Sequence, residues 1–303
     1  NKNGVKLLYE SSVCAGTPII KLLNQELAAS KISKISGMLN GTSNFILSNM
    51  EEGMEFEPTL KLAQEKGYAE PDPSFDIEGT DAAHKIGILS SLAFGSSLPP
   101  KDFYIEGING IHKDDFKYAY EMGYTIKHLA IAKSTNNSID LRAHPSLVKL
   151  DSYLANLKGV RNGIEVETDL LGTLHIAGSG AGQEATASGV ISDLIYLSDS
   201  KIREVNNINE SIELINFIDL NFQYYFYIEA SDVSGVMASI SSIFANKDVS
   251  IESISQKENF NDDLVPIIII TDPFKEKDYQ ELVDNLLELD SVNKIRSIRI
   301  EPQ

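Results

Sequence analysis

The sequence predicts an α+β chain: a mixed open sheet with helices on one face, followed by a smaller unit in βαββαβ order. Three observations carry this. Strand-like runs over residues 1–200 are spaced by hairpin signals as well as by helical patterns. The stretch 201–222, with the acidic, amide-rich run from Glu204 to Asp219, reads as a linker with a helical piece. From 223 to 303 the pattern changes to aromatic and isoleucine-rich strands interleaved with two helices.

Taken in order, Val5 to Tyr9 reads as a short strand broken by Gly16 and Pro18. Ile19 to Ala29 then reads as a helix, with Ile20, Leu23 and Leu27 apolar. Lys34 to Gly37 is a strand leading into Asn40-Gly41-Thr42, a turn signal, with a helix from Ser43 to Met50 behind it. The N–H groups of such a turn suit an anion such as a carboxylate; a plain turn with a Thr or Ser cap fits the same residues. Glu57 to Lys66 is a short helix that delivers the chain into an acidic stretch. A second helix starts with Thr80 as N-cap and Asp81 in the first turn, carries Ile86, Leu89 and Ala93, and stops at Gly95. Ser96 to Pro100 is a loop, Ile105 to Ile111 a short strand or turn, and Phe116 to Met122 a helix before Gly123. Ile126 to Ser134 alternates as a strand, Asn136-Asn137 turns it into Ser138 to His144, and His144-Pro145 starts a loop. Gly163 to Glu167 and Thr173 to Ala177 are a strand pair.

Gly178-x-Gly-x-Gly182 joins the last strand to the helical run Thr186 to Leu197. A dinucleotide fingerprint needs a later third glycine and a following parallel strand, which the sequence does not supply. A tight turn with close packing is the reading of the residues alone. In the second part, Gln223 to Glu229 is a strand, Asp232 to Val236 a turn, and a helix runs to about Asn246. Ser250 to Gln256 and Val265 to Thr271 are strands, Lys275 to Leu289 a helix, and Val292 to Ile300 a closing strand.

Composition narrows the function. A net charge of −18 with no basic patch argues against nucleic acid and anionic membrane as partners. One cysteine, Cys14, rules out an internal disulfide and fits a reducing, cytoplasmic setting. No apolar run reaches the length of a membrane span. The five histidines have neither zinc-helix spacing nor cysteine partners.

The chemistry concentrates at 67–85, where Glu70, Asp72, Asp76, Glu78 and Asp81 are followed by Lys85. Pro71 and Pro73 keep 70–73 out of a helix, so these acids sit on a stiffened loop. Asp81 and Lys85 are i and i+4 with the acid first, the favourable order. An acidic loop can hold a substrate ammonium, and a lysine oriented by an aspartate can pass a proton to a carbonyl oxygen. A loop of solvated acids beside a surface ion pair fits the same residues.

Gly67-Tyr68-Ala69-Glu70-Pro71-Asp72-Pro73, with Asp76 and then Gly79-Thr80-Asp81-x-x-x-Lys85, resembles the signature of homoserine dehydrogenases. Tyr9 to Ile20, Gly37 to Ile46, and Gly178 to Gly182 with Thr186-Ala187 resemble three further blocks of that family, in the same order. The resemblance implies reversible NAD(P)-dependent interconversion of L-homoserine and L-aspartate 4-semialdehyde, on the way to threonine, methionine and isoleucine. It implies Lys85 as proton donor, Asp81 as its orienting partner and a substrate contact, and Glu70, Asp76 and Thr42 as substrate-side residues. It places Gly182 near the cofactor, although Ala185 stands where the family often has proline. It also implies a monovalent cation such as Na+ held by Glu10, Val13, Ala15 and Thr17, mostly through backbone carbonyls, and a homodimer or higher homo-oligomer.

The βαββαβ part is ferredoxin-like in order and resembles an ACT domain, a module that binds amino acids. Ser234 replaces the usual proline before the loop glycine, Gly235. That helix start suits the carboxylate of an amino-acid effector; a unit kept for dimerisation fits equally. The chain opens without methionine and without a Gly-rich βαβ repeat, so a fragment lacking the family's nucleotide domain, inactive alone, is the expectation. A non-catalytic amino-acid sensor is the alternative. A divalent-metal hydrolase built on Asp72, Asp76 and Asp81 would lack histidine partners.

Overall fold

The computed structural model describes residues 7–95, 103–136, 138–198, 212–257 and 264–302. The helices in chain order are α1 (Ile19–Lys21), α2 (Gly41–Glu51), α3 (Phe56–Glu65), α4 (Ser74–Ile77), α5 (Thr80–Phe94), α6 (Lys113–Glu121), α7 (Gln183–Ser198), α8 (Val236–Asn246) and α9 (Glu276–Leu287). The strands are β1 (Ile32–Met38), β2 (Tyr104–Ile105), β3 (Tyr124–Thr135), β4 (Ser138–Lys149), β5 (Arg161–Thr168), β6 (Gly172–Ser179), β7 (Glu213–Leu214), β8 (Asn221–Ser231), β9 (Ile251–Gln256), β10 (Leu264–Thr271), β11 (Phe274–Lys275) and β12 (Val292–Ile300). The chain forms two compact units. The first holds residues 1–113, 127–144 and 151–215; the second holds 114–126, 145–150 and 216–303.

The sheet of the first unit runs β6-β5-β1-β3-β4. It is antiparallel from β6 through β5 and β1 to β3, while short β2 and β7 lie parallel to β4, which makes it mixed. Helix α5 buries Ala82, Ala83, Ile86 and Leu89 in one core with Ile35, Leu39, Ile164 and Val166 from the β1 and β5 segments. Each fully buried Leu or Ile contributes about 1.5–3 kcal/mol, so this stripe anchors α5 more firmly than helix propensity can. The same core takes in Val13, Ile19 and Leu23.

Four local expectations change. No strand forms at 7–9: Tyr9 begins a 3-10 turn (Glu10–Ser12), its carbonyl taken by the Ser12 N–H and hydroxyl. Val5 and Lys6 lie outside the described residues, as do Ser96 to Pro100 and the expected linker (201–222) up to residue 211; its described remainder holds β7, a 3-10 turn (Phe217–Asp219) and the start of β8. The helix expected to reach Ala29 is α1 alone, which widens into a π-type turn (Leu22–Glu26) closed by the Leu27 N–H on the Leu22 carbonyl. The N-cap of α5 is Gly79, not Thr80, because the chain reverses there at φ +84°. Finally, Pro145 does not end β4, because the residues after it are paired: Ser146 and Leu147 run parallel to Arg299 and Ile300.

In the second unit the strands run β12-β8-β10-β9, every neighbour antiparallel. Phe222, Tyr224, Phe226, Ile228 and Ala230 of β8 alternate onto one face, where α8 and α9 cover them with Val236, Ile240, Phe244, Leu282 and Leu286. On the same unit's other face, Arg296 grips Asp115 in a two-pronged pair and stacks 3.8 Å over the Tyr227 ring.

Candidate active site

The site grows out of two turns in the first unit. At the end of β1 the chain enters α2 through Asn40, whose side-chain oxygen accepts the Ser43 N–H at 2.7 Å as an N-cap. Its amide nitrogen is thereby aimed away from the helix, and donates to Asp76 Oδ1 at 2.7 Å and Asp81 Oδ2 at 2.8 Å. Asp76 lies on α4, a single turn that the acidic loop forms after Pro73 and that the periodicity did not reveal. Asp81 lies in the first turn of α5, and Lys85 one turn further on.

Lys85 Nζ donates to Asp81 Oδ2 at 2.6 Å and to the Leu39 carbonyl at 2.9 Å. The two side chains are 16% and 19% exposed, so this pair is shielded and held, unlike a surface i,i+4 bridge. Burial raises the Asp76 carboxyl above its ordinary range; the Asn40 bond offsets part of that and the Asp81 charge adds to it.

These groups open on one cavity of about 650 Å³, lined by Thr42, Glu70, Asp76, Asp81, Lys85 and Gly182 among others. The ammonium and the braced acids of the signature therefore face the same space. Glu70 is exposed at its rim, with its backbone carbonyl held by Gln64. The Thr42 hydroxyl lies 2.6 Å from the Tyr68 carbonyl and is also within hydrogen-bond reach of the Asp76 carboxylate, the two acceptors for its one proton. Asp72 also lines the cavity but turns back on Ser74, whose hydroxyl and N–H lower its carboxyl. The glycine turn supplies Gly180, Ala181 and Gly182 to the wall; Gly182 has φ +112°, with open space where a side chain would begin.

Glu10, Val13, Ala15 and Thr17 are not among the residues lining the cavity. The Glu10 carboxylate is buried and accepts the N–H groups of Ile20 and Lys21 at 2.8 and 2.9 Å, capping α1. Burial raises its carboxyl, and those two N–H groups partly offset the shift. Cys14 and Ala15 both take left-handed backbone, at φ 56° and 50°. The Thr17 hydroxyl oxygen is buried without a hydrogen-bond partner. Among the described residues no three His, Cys, Asp or Glu side chains cluster as metal ligands.

Two residues of the site were not singled out beforehand. Asn40 was legible only as a turn former, although Asn before a helical run is also a capping signal. Asn162, on β5, carries no sequence signal at all.

A shielded lysine–aspartate pair in a carboxylate-rich cavity, walled on one side by glycine backbone, is the equipment of an enzyme that handles a small molecule bearing an ammonium group. The comparisons with known proteins agree on which one. Residues 18–195 match the model of the family described as homoserine dehydrogenase. A homoserine dehydrogenase of Neisseria gonorrhoeae is 39% identical over 99% of this chain and 72% of its own length. The crystal structure of a homoserine dehydrogenase from Thiobacillus denitrificans superposes with a TM-score of 0.90 at 38% identity, over 99% of this chain and 71% of that one. A hyperthermophilic archaeal homoserine dehydrogenase mutant, solved in complex with NADPH, matches 67% of this chain and 59% of its own at 30% identity, TM-score 0.56. The chain belongs to the homoserine dehydrogenase family, and its class of activity is oxidoreductase. No described helix is long and apolar enough to cross a membrane.

Proposed function

We propose that this chain binds L-aspartate 4-semialdehyde or L-homoserine in the cavity and that Lys85 moves the proton of their interconversion. The observation that carries the reading is the Lys85 ammonium, held by Asp81 and the Leu39 carbonyl with two of its three protons and facing the cavity with Glu70. Reduction of an aldehyde builds negative charge on its oxygen, and a fixed ammonium neutralises that charge as it forms. In the reverse direction the amine receives the hydroxyl proton. Glu70 and Asp76 offer negative charge to the substrate's amino end, and Thr42 offers a hydroxyl oxygen at the same wall.

NAD(P), when bound, exchanges the hydride. The Gly180–Gly182 backbone fits one edge of that cofactor: it lines the cavity and leaves open space at Gly182. The unpartnered Thr17 oxygen, the buried Glu10 carboxylate and the turned backbone at Cys14 and Ala15 support a monovalent cation at Glu10, Val13, Ala15 and Thr17. The second unit, with its βαββαβ order and Gly235 at φ +94° before α8, supports an ACT-type amino-acid sensor.

Lys85→Ala in the intact protein tests the main reading. Turnover is expected to fall by about 10²–10⁴-fold, the usual worth of a general acid, with a much smaller change in KM. Unchanged turnover would remove Lys85 from the chemistry.

A further inference from the structure

Asn162 lies at the start of β5, 1% exposed. Its side-chain nitrogen donates one proton to the Leu39 carbonyl at 3.0 Å and the other to Cys14 Sγ at 3.2 Å. The Leu39 carbonyl is the same oxygen that receives the Lys85 ammonium at 2.9 Å. Leu39 lies one residue beyond the last paired position of β1, Met38 opposite Gly163, so no ladder bond sets the direction of its carbonyl. The asparagine does so instead. Its orientation is itself determined, because the Leu39 carbonyl can only accept and so calls for the amide nitrogen on that side, where the thiol sulfur accepts its other proton; the amide oxygen is left buried without a partner. Gly180 of the cavity wall rests directly on this amide, and a Cβ there would collide with it.

We infer that Asn162 is a positioning residue: by tethering the Leu39 carbonyl it sets where the Lys85 ammonium sits and which way its remaining proton points. Its catalytic consequence rests on the proposed role of Lys85; the tether itself does not. A proton donor displaced by as little as 1 Å can lose on the order of 10²-fold in rate. Asn162 does not line the cavity, so its loss should spare substrate affinity.

The test compares Asn162→Leu, which keeps the branched heavy-atom shape at a larger volume and removes both donors, with Asn162→Ser, which removes volume and falls short of Leu39. Two readouts are taken on the intact protein: kcat against KM, and the rate at which an amine-acylating reagent labels Lys85 relative to exposed Lys61, read by mass spectrometry. Both variants are expected to change Lys85 labelling several-fold and leave Lys61 unchanged. Both should also lower kcat by roughly tenfold or more at near-constant KM. Should Asn162→Leu fail to fold, Asn162→Ser carries the same readouts. Parental labelling and kcat in Asn162→Leu, with a defect only in Asn162→Ser, would reduce the residue to packing and overturn the inference. Altered labelling with parental kcat would uphold the tether and instead take Lys85 out of the reaction.

Discussion

Asp76 and Asp81 share one asparagine, and that sharing is what lets two carboxylates stand at one cavity beside a single ammonium. The arrangement is costly for Asp76, whose carboxyl is raised by burial first. A carboxyl raised in the folded protein holds its proton more tightly there than in the unfolded chain. The stability that its protonated form contributes is present below the unfolded value of about pH 4 and is lost as pH rises through the raised one. Asp76→Asn, whose amide oxygen can still accept from Asn40, should therefore raise Tm at pH 7. The gain should shrink to nothing as the pH falls toward about 4, and a Tm below the parent's at every pH would refute this account. At this scale proline bracketing and helical spacing put Glu70 on a stiffened loop and Asp81 one turn before Lys85, while the roles of these residues came from the family resemblance alone. Asn40 and Asn162 stayed hidden because their partners, Asp76, Asp81, Leu39 and Cys14, are set by tertiary contact rather than by any local pattern.

The α4–α5 corner delivers Asp76 and Asp81 to the same point, and Gly79 is its pivot. Its φ of +84° favours glycine, and a Cβ there would stand 2.9 Å from His128 Nε2, itself bonded to the Glu106 carbonyl. Gly79→Ala is expected to cost about 1–3 kcal/mol in urea unfolding with an unchanged m-value, and to lower kcat because the first turn of α5 shifts. A parental midpoint would show that the corner tolerates the side chain. The stop of helix α5 was legible in Gly95, but its start was placed one residue late, because Thr80 is a good local cap signal while the reversal at Gly79 makes that glycine the cap. Strand β4 was cut short in the sequence reading because proline is a local stop signal, whereas the pairing that carries the strand past Pro145 comes from residues far along the chain. The short α4 and β11 fall below the length at which periodicity can be read.

Across the whole molecule, the two proposed binding functions fall in different units: cavity, lysine and glycine turn in the first, the turn before α8 in the second. An amino-acid effector bound at the second unit should give heat in a calorimetric titration with L-threonine, and Lys85→Ala should leave that heat intact. Absence of heat with threonine and related amino acids would leave the second unit without a sensing role. The order of its main elements was legible because every strand and helix there except β11 is long enough to show its pattern; the membership of 114–126 and 145–150 was not, since nothing local marks those residues as belonging with 216–303. That membership bears on how such a module can travel between genes. A crossover placed at the apparent seam before 216 would carry Arg296 into the new protein and strand its carboxylate partner Asp115 in the old one. A functional graft of the second unit would have to bring both inner segments with it, so inheritance of this unit by simple end-to-end fusion is disfavoured by its own wiring.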